Sequence, residues 1–239
     1  MLISLTYNYS TSRCAHKLLE KIVEKKCEQA KIIDYGLSET GAVLKLANTP
    51  ETRWLLQGEL KAIKDGYVFK EMKGKNGNYR GYVNKDGKVE GVGIEIVNDG
   101  NKYSGEYYGG DLNGVIKAEF ADGNICWGMF KDSEQNGYNT YQFKIGNTYT
   151  GQFKNGKRDG YGKYRWRDGE TYRGQFNDNK REGYGLAKFA NNDVYDGQWL
   201  KDQRSGEAVV TYFNTGTIQR ELWENNKQVK VLEILKDKK

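Results

Sequence analysis

The stretch Tyr149-Thr-Gly-Gln-Phe153 decides the fold, because it returns twice at one fixed interval. It reappears as Tyr172-Arg-Gly-Gln-Phe176 and again as Tyr195-Asp-Gly-Gln-Trp199, so the copies follow one another with a period of 23. Self-similarity at a fixed period of this length is the sequence signature of a repeat architecture. The chain is therefore predicted to consist mainly of repeated structural units.

Further copies can be followed in both directions from these three. More divergent copies lie upstream at the same spacing or one residue more, and a decayed copy lies downstream. The upstream copies begin at Leu56, Tyr79, Tyr103 and Cys126, and the decayed copy begins at Gln219. We therefore predict a repeat domain over residues 56–227, with about seven units of this period and a remnant.

Each unit is a predicted β-hairpin. Alternation with period two, which is typical of strands, runs over Tyr149–Lys154 and again over Gly160–Arg167. Asn155-Gly156 lies between these segments, and Asp168-Gly169 follows the second one. Both dipeptides supply the positive φ angles that tight turns require. Successive hairpins joined in this way form an antiparallel meander, so the predicted fold class is mainly β.

The alternation also predicts an aromatic face and a polar face. Side chains at positions i and i+2 of a strand point to the same side, so Tyr149 and Phe153 share a face with Trp166. The glycines between them leave room in which rings of the same or the next unit can stack. The residues that define the repeat in the three best copies are Tyr149, Gly151, Phe153, Gly160, Gly162, Trp166, Tyr172, Gly174, Phe176, Gly183, Gly185, Tyr195, Gly197 and Trp199.

The pattern Tyr149-x-Gly151-x-Phe153, followed by Gly160-x-Gly162, resembles the MORN repeat (membrane occupation and recognition nexus). The resemblance is most specific across residues 103–213 and weaker at 56–102, where leucines replace aromatic residues. It implies an elongated, twisted, single-layer antiparallel meander of hairpins. The choline-binding cell-wall repeat also combines aromatic residues with glycine, but it fits less well because its units are shorter and begin with tryptophan.

The resemblance implies a non-catalytic scaffold or adaptor that holds other proteins of a multi-subunit assembly. MORN proteins of similar build occur in ciliary axonemes and other cytoskeletal structures, and as adaptors for motor proteins. It therefore implies a cytoplasmic location at the cytoskeleton or a cilium. The alternative is a peripheral membrane module that binds anionic phospholipid through a basic face.

Basic residues on the predicted polar face form the candidate docking patch for an acidic protein or an anionic lipid. The patch consists of Lys154, Lys163, Arg165, Arg167, Arg173 and Lys188. The simpler interpretation is an ordinary solvated face, since surface lysines and arginines are common. The unit at residues 103–125 is acidic, whereas a ribbon lying on lipid is expected to be basic along its length, so the protein partner is favoured.

The two ends are predicted to close or extend the repeat domain. An apolar stripe at helical spacing predicts a helix over residues 12–31, within an N-terminal segment at 1–55 that caps the first sheet edge or docks on a partner. At the other end, the apolar run from Val229 to Leu235 predicts a second helical cap over residues 228–239, ending in a basic tail.

Composition and residue inventory argue against catalysis. The chain of 239 residues has thirty glycines, one proline, 13% aromatic residues and a net charge of +6. Its single histidine, His16, has no partner constellation, and the spacing of Cys14 and Cys27 does not match a zinc site. We therefore expect no enzyme activity, cofactor or metal. Nucleic-acid binding is also not expected, because bases stack on exposed aromatic side chains and the aromatic residues are predicted to pack within the repeat.

Three cysteines without close spacing and a start without a basic signal region favour a reducing, intracellular compartment. No apolar run in the sequence approaches the length that a membrane-spanning helix needs. The expectation from composition is therefore a cytoplasmic protein.

Overall fold

The computed structural model describes residues 61–62 and 64–237. Two compact units divide between Ala121 and Asp122. The predicted N-terminal segment at 1–55, the helix at 12–31 and the first five residues of the copy that begins at Leu56 lie outside the described residues.

The first unit is a meander of five antiparallel strands. Helical backbone at Lys61, Ala62 and Lys64 precedes the first strand. The strands are β1 (Val68–Lys73), β2 (Gly77–Val83), β3 (Val89–Val97), β4 (Lys102–Tyr108) and β5 (Asp111–Glu119). Each strand pairs with the next one along the chain.

The second unit continues the same pattern over ten strands. These are β6 (Ile125–Lys131), β7 (Glu134–Gln142), β8 (Thr148–Lys154), β9 (Lys157–Arg165), β10 (Thr171–Asn177), β11 (Lys180–Lys188), β12 (Val194–Leu200), β13 (Gln203–Tyr212), β14 (Thr217–Glu224) and β15 (Lys227–Lys236). Each again pairs antiparallel with its neighbour in the chain. The predicted mainly β, antiparallel meander is therefore confirmed for the described residues.

The connections within the hairpins are tighter than the alternation suggested. Asn155 and Gly156 have φ angles of 49° and 72°, as a two-residue type I′ turn requires. Strand β9 therefore begins at Lys157, not at Gly160 as predicted. The register shifts between Gly151 and Phe153, so a β-bulge accommodates the extra residues.

The core of the second unit is a chain of aromatic rings on one face of the sheet. Tyr149, Tyr172 and Tyr195 are fully buried. The ring of Tyr172 meets the rings of Phe176 and Trp199 edge-on, at centroid distances of 5.1 Å and 5.3 Å. Equivalent contacts link Tyr149 to Phe176. Edge-to-face pairs are favoured by the ring quadrupoles beyond the burial of their surface.

The glycines of the repeat let these tyrosine rings lie directly on the backbone. A Cβ atom at Gly174 would lie 2.5 Å from the Cα of Gly185 and 2.6 Å from the hydroxyl oxygen of Tyr172. The same hydroxyl donates a hydrogen bond of 2.9 Å to the carbonyl oxygen of Gln175. The space beside Gly174 is therefore filled by the tyrosine of its own strand and by the backbone of β11.

The C-terminal segment is a strand, so the prediction of a helical cap is wrong. Residues Lys227–Lys236 form strand β15, which pairs with β14 through three register shifts. Both faces of this strand are exposed, including Val229 and Ile234. The apolar run contains β-branched residues that favour strands, and the tight turn at Asn225 and Asn226, both with positive φ, returns the chain along β14.

Substitution of Gly174 tests the close approach of ring and backbone. We expect Gly174→Val to lower the free energy of unfolding by about 1–3 kcal/mol, because the new side chain overlaps Tyr172 and Gly185. The matched control is Arg173→Val, which places the same side chain on the exposed face of the same strand. Urea unfolding measures both. Equal stability of the two variants would contradict the close packing.

Candidate functional site

The polar face of the second unit carries most of the predicted docking residues. Lys163 on β9 lies directly opposite Arg173 on β10 and opposite Thr150 on β8. Arg165 and Lys188 both lie opposite Thr171, which places them two strands, or about 10 Å, apart. All four basic side chains are exposed. We call Lys163, Arg165, Arg173 and Lys188 the basic patch.

The structure separates Lys154 from the basic patch, whereas Arg167 lies two residues beyond Arg165, within about 7 Å. Lys154 ends β8 opposite Lys157, six residues along β9 from Lys163, which corresponds to about 20 Å. Arg167 lies beyond the end of β9, in the connection to β10, where its side chain passes over Gly146. Of the six predicted residues, Lys154 therefore lies apart from the others.

A row of exposed tyrosines runs across the strands beside the basic patch. Tyr138, Tyr161 and Tyr184 expose 58%, 50% and 63% of their surface, and they lie on alternate strands β7, β9 and β11. Gln152 and Gln175 occupy the strands between them and accept hydrogen bonds from the backbone N–H groups of Tyr161 and Tyr184. We call these three tyrosines the tyrosine row.

The tyrosine row was missed by the reasoning from sequence, which assigned the aromatic residues to the core. The premise that the repeat consumes the aromatics is wrong for these three positions. The signal was available, because Tyr138, Tyr161 and Tyr184 recur with the period of the repeat at a polar-face position.

Three arginines on the aromatic face were also missed. Arg158, Arg181 and Arg204 recur with the same period. The guanidinium of Arg181 lies 4.1 Å from the centroid of the Trp199 ring, and that of Arg204 lies 3.8 Å from the centroid of the Trp223 ring. Extending the alternation two residues back from Gly160 would have placed Arg158 on this face.

Each of these arginines also connects two hairpins. The Nε atom of Arg181 donates a hydrogen bond of 3.0 Å to Oδ1 of Asp202, and its Nη2 atom donates one of 2.9 Å to the Asp202 carbonyl oxygen. Arg158 makes a similar contact with the carbonyl oxygen of Asn179. The arginines therefore stabilise the repeat, because their guanidinium groups form hydrogen bonds to the next hairpin and stack on the aromatic rings.

A cavity of about 430 Å³ lies on the aromatic face near the C-terminal strands. Its lining includes Phe189, Arg204, Tyr212 and Trp223. The buried carboxylate of Glu221 accepts hydrogen bonds from the hydroxyl of Tyr212 and from Nε1 of Trp223, at 2.8 Å and 2.9 Å. The carboxylate of Glu221, behind two of the lining residues, is therefore bonded to the protein itself.

Burial shifts the titration of several groups on the aromatic face. It raises the pKa of Tyr195 to about 12. It also raises the pKa of Tyr212 to about 12, assisted by the hydrogen bond to Glu221. The free thiol of Cys126 is buried, which raises its pKa to about 11 and keeps it protonated at neutral pH.

Within residues 61–62 and 64–237, no group of three or more histidine, cysteine, aspartate or glutamate side chains is placed to hold a metal ion. The same residues include no helix with the length and apolar character needed to cross a bilayer.

Comparison with known families identifies the repeat. The family model described as the MORN repeat matches three consecutive times, at residues 149–171, 172–194 and 195–217. These matches begin at Tyr149, Tyr172 and Tyr195, as the three best copies in the sequence do, and they include β9 to β13. Residues 149–217 therefore consist of three MORN repeats, and MORN repeats are protein- or membrane-interaction modules. A search of curated proteins finds no match.

Two solved structures show limited similarity to the chain. One is the TCP10 domain of Danio rerio CPAP in complex with a peptide of Danio rerio STIL, with 14% identity, a TM-score of 0.38 and coverage of 64% of this chain. The chain spans 63% of the length of that structure. The other is a catalytically inactive virginiamycin B lyase from Staphylococcus aureus with quinupristin, with 11% identity, a TM-score of 0.17 and coverage of 70% of this chain and 75% of the lyase.

The contribution of the partly buried arginines can be measured at Arg181. We expect Arg181→Ala to lower the free energy of unfolding by about 1–3 kcal/mol, because it removes both the stacking on Trp199 and the hydrogen bonds to Asp202. Arg181→Lys is expected to recover only part of this loss, since an ammonium cannot stack and bond in the same way. The control is the exposed Arg165→Ala, with a change within about 0.5 kcal/mol. A loss at Arg181 no greater than at Arg165 would contradict the assigned role.

The buried tyrosines predict a loss of stability in alkali. Because the pKa of Tyr195 is near 10 in the unfolded chain and about 12 in the folded one, the neutral phenol stabilises the fold below pH 10. This contribution disappears as the pH rises from about 10 to about 12. We expect the free energy of unfolding to fall over this range, and to fall less in Tyr195→Phe. Urea unfolding across the pH range provides the measurement, and identical slopes for both proteins would contradict the assignment.

Proposed function

We propose that this protein is a non-catalytic scaffold or adaptor that binds an acidic surface of another protein through the basic patch. The observation that carries the proposal is the direct opposition of Lys163 and Arg173 on neighbouring strands. Like charges at directly opposite positions destabilise a sheet. An anionic partner placed between them removes that repulsion, so binding gains energy from an arrangement that costs energy in the free protein.

The separation of core residues and basic patch on opposite faces of the sheet supports this function. The residues that hold the repeat together point to the buried aromatic face, whereas the basic patch lies on the exposed face of the same strands. Substitutions on the polar face therefore alter the partner without disturbing the core. A repeat with this property suits an interaction module whose specificity lies in its exposed positions.

The charge pattern favours a protein partner over a lipid surface. The cross-strand row that contains Lys163 and Arg173 continues through Leu186 to Asp196. Farther along the same row, Arg220 forms an ion pair of 2.9 Å with Glu233. A bilayer presents a uniformly anionic surface, which an aspartate in the row opposes. Mixed charges instead match a partner of defined shape and charge.

The resemblance to MORN proteins of similar build supports a place for this function in the cytoplasm, at the cytoskeleton or a cilium. In that setting the partners are other subunits of a large assembly. The N-terminal segment at 1–55 and the basic tail contribute to this proposal as additional docking or capping elements.

Affinity isolation of the tagged protein from its native cells tests the proposal. We expect a defined set of proteins to copurify, and to be lost when the basic patch carries Lys163→Glu and Arg173→Glu. The matched control is Lys154→Glu with Lys180→Glu, which reverses two exposed charges about 20 Å along the strands from Lys163 and Arg173. The control variant is expected to retain the partners.

Two outcomes would contradict the proposed function. One is recovery of the same proteins with both variants, which would show that the basic patch does not bind them. The other is sedimentation of the purified protein with anionic vesicles, but not with neutral ones, that is abolished by the patch variant and accompanied by no protein partner. That result would establish the lipid-binding alternative, and added salt would release the protein by screening its charges.

A further inference from the structure

The tyrosine row is the largest exposed aromatic feature of the second unit, and neither the repeat nor the basic patch uses it. Tyr138, Tyr161 and Tyr184 expose half or more of their surface. The hydroxyl of Tyr184 accepts a hydrogen bond of 3.0 Å from Nε2 of Gln198, which restrains its ring. Exposed aromatic side chains that are held in place bind partners with little loss of conformational entropy.

The distance between neighbouring tyrosines of the row matches the repeat distance of a peptide in the polyproline II conformation. The tyrosines lie on alternate strands, so neighbouring positions are about 9.6 Å apart. A polyproline II helix has three residues per turn and a rise of 3.1 Å, so every third residue returns to the same side after about 9.3 Å. Over the three tyrosines the two repeats differ by less than about 1 Å.

The charges beside the row select the side chains of such a segment. Lys163 follows Tyr161 by two residues on β9, and Arg173 precedes Gln175 by two residues on β10, so both cations flank the row on the same side. Asp159 and Glu182 lie on the opposite flank. A polyproline helix that packs its prolines on the tyrosines can therefore direct its carboxylates toward the cations. The acidic flank disfavours binding with the carboxylates on the other side.

We propose that the tyrosine row binds a proline-rich, acidic segment of a partner protein in the polyproline II conformation. Prolines at every third position lie on Tyr138, Tyr161 and Tyr184, and the intervening carboxylates face Lys163 and Arg173. Proline rings pack on aromatic side chains in several peptide-recognition domains because the helix is formed before binding. This inference rests on the proposed function and names the chemistry of its partner.

Binding of a synthetic peptide to the full chain tests the inference. The probe is a labelled peptide of about twelve residues with repeated Pro-Pro-Glu triplets, and the measurement is fluorescence anisotropy. We expect Tyr161→Ser with Tyr184→Ser to weaken binding at least about tenfold. The matched control is Tyr108→Ser, an exposed tyrosine on β4 that lies outside the row, and it is expected to leave binding unchanged. Circular dichroism checks that each variant remains folded.

Two further probes test the charge and the period separately. A Pro-Pro-Lys peptide is expected to bind more weakly than the Pro-Pro-Glu peptide, and Lys163→Glu with Arg173→Glu is expected to narrow that difference. A peptide of the same composition with the triplet order scrambled is expected to lose affinity, because its prolines no longer recur at the spacing of the tyrosines.

Three outcomes would overturn the inference. They are equal binding by the wild-type chain and the tyrosine variant, equal affinity for the ordered and scrambled peptides, and tighter binding of a uridine-rich oligonucleotide through the same tyrosines. If the peptide fails while affinity isolation still yields partners that depend on the basic patch, the inference fails and the proposed function stands. If the isolation yields no such partners, the proposed function fails, and the inference that rests on it fails with it.

Discussion

The contact between a tyrosine ring and the glycine backbone is the constraint on which the repeat depends. The ring of Tyr172 lies over Gly174 and Gly185 so closely that a single Cβ atom at either position would overlap it. This contact fixes the ring, and the fixed ring then presents its edge and face to Phe176 and Trp199. Each unit is thereby joined to the next by aromatic contacts, which this sheet needs because no second layer covers this face within residues 61–62 and 64–237.

A natural exception within the chain shows the same constraint. Cys126 occupies the tyrosine position of its unit, and Asn139 occupies the position that Gly162 holds one repeat later. Because the thiol is far smaller than a phenol, the side chain of Asn139 fits in the space that a ring would fill. Its amide donates a hydrogen bond of 3.0 Å to the carbonyl oxygen of Met129, and the buried polar group is thus satisfied.

The single layer also explains how one sheet presents a buried aromatic face and an exposed polar face at once. Strand geometry sends alternate side chains to opposite sides, so Tyr164 packs in the core while its neighbours Lys163 and Arg165 remain exposed. The polar face therefore combines like charges that repel each other with tyrosines that lack a core to enter. The like charges repel each other, and the exposed tyrosine rings contact water. A bound partner would relieve both, as the proposed function requires.

The sequence by itself determined the repeat, the strands and the two faces, because a period of 23 and an alternation of two are local properties of the chain. It did not show that Lys154 lies apart from Lys163, since strand register depends on the turn at Asn155 and on the bulge beyond Gly151. The period and the alternation signalled the faces of the arginines and of the tyrosine row, but only the tertiary structure showed which rings the arginines cover and how far the tyrosines are exposed. Those positions follow from pairing between strands, and a residue type alone does not specify which face of a pair it will occupy.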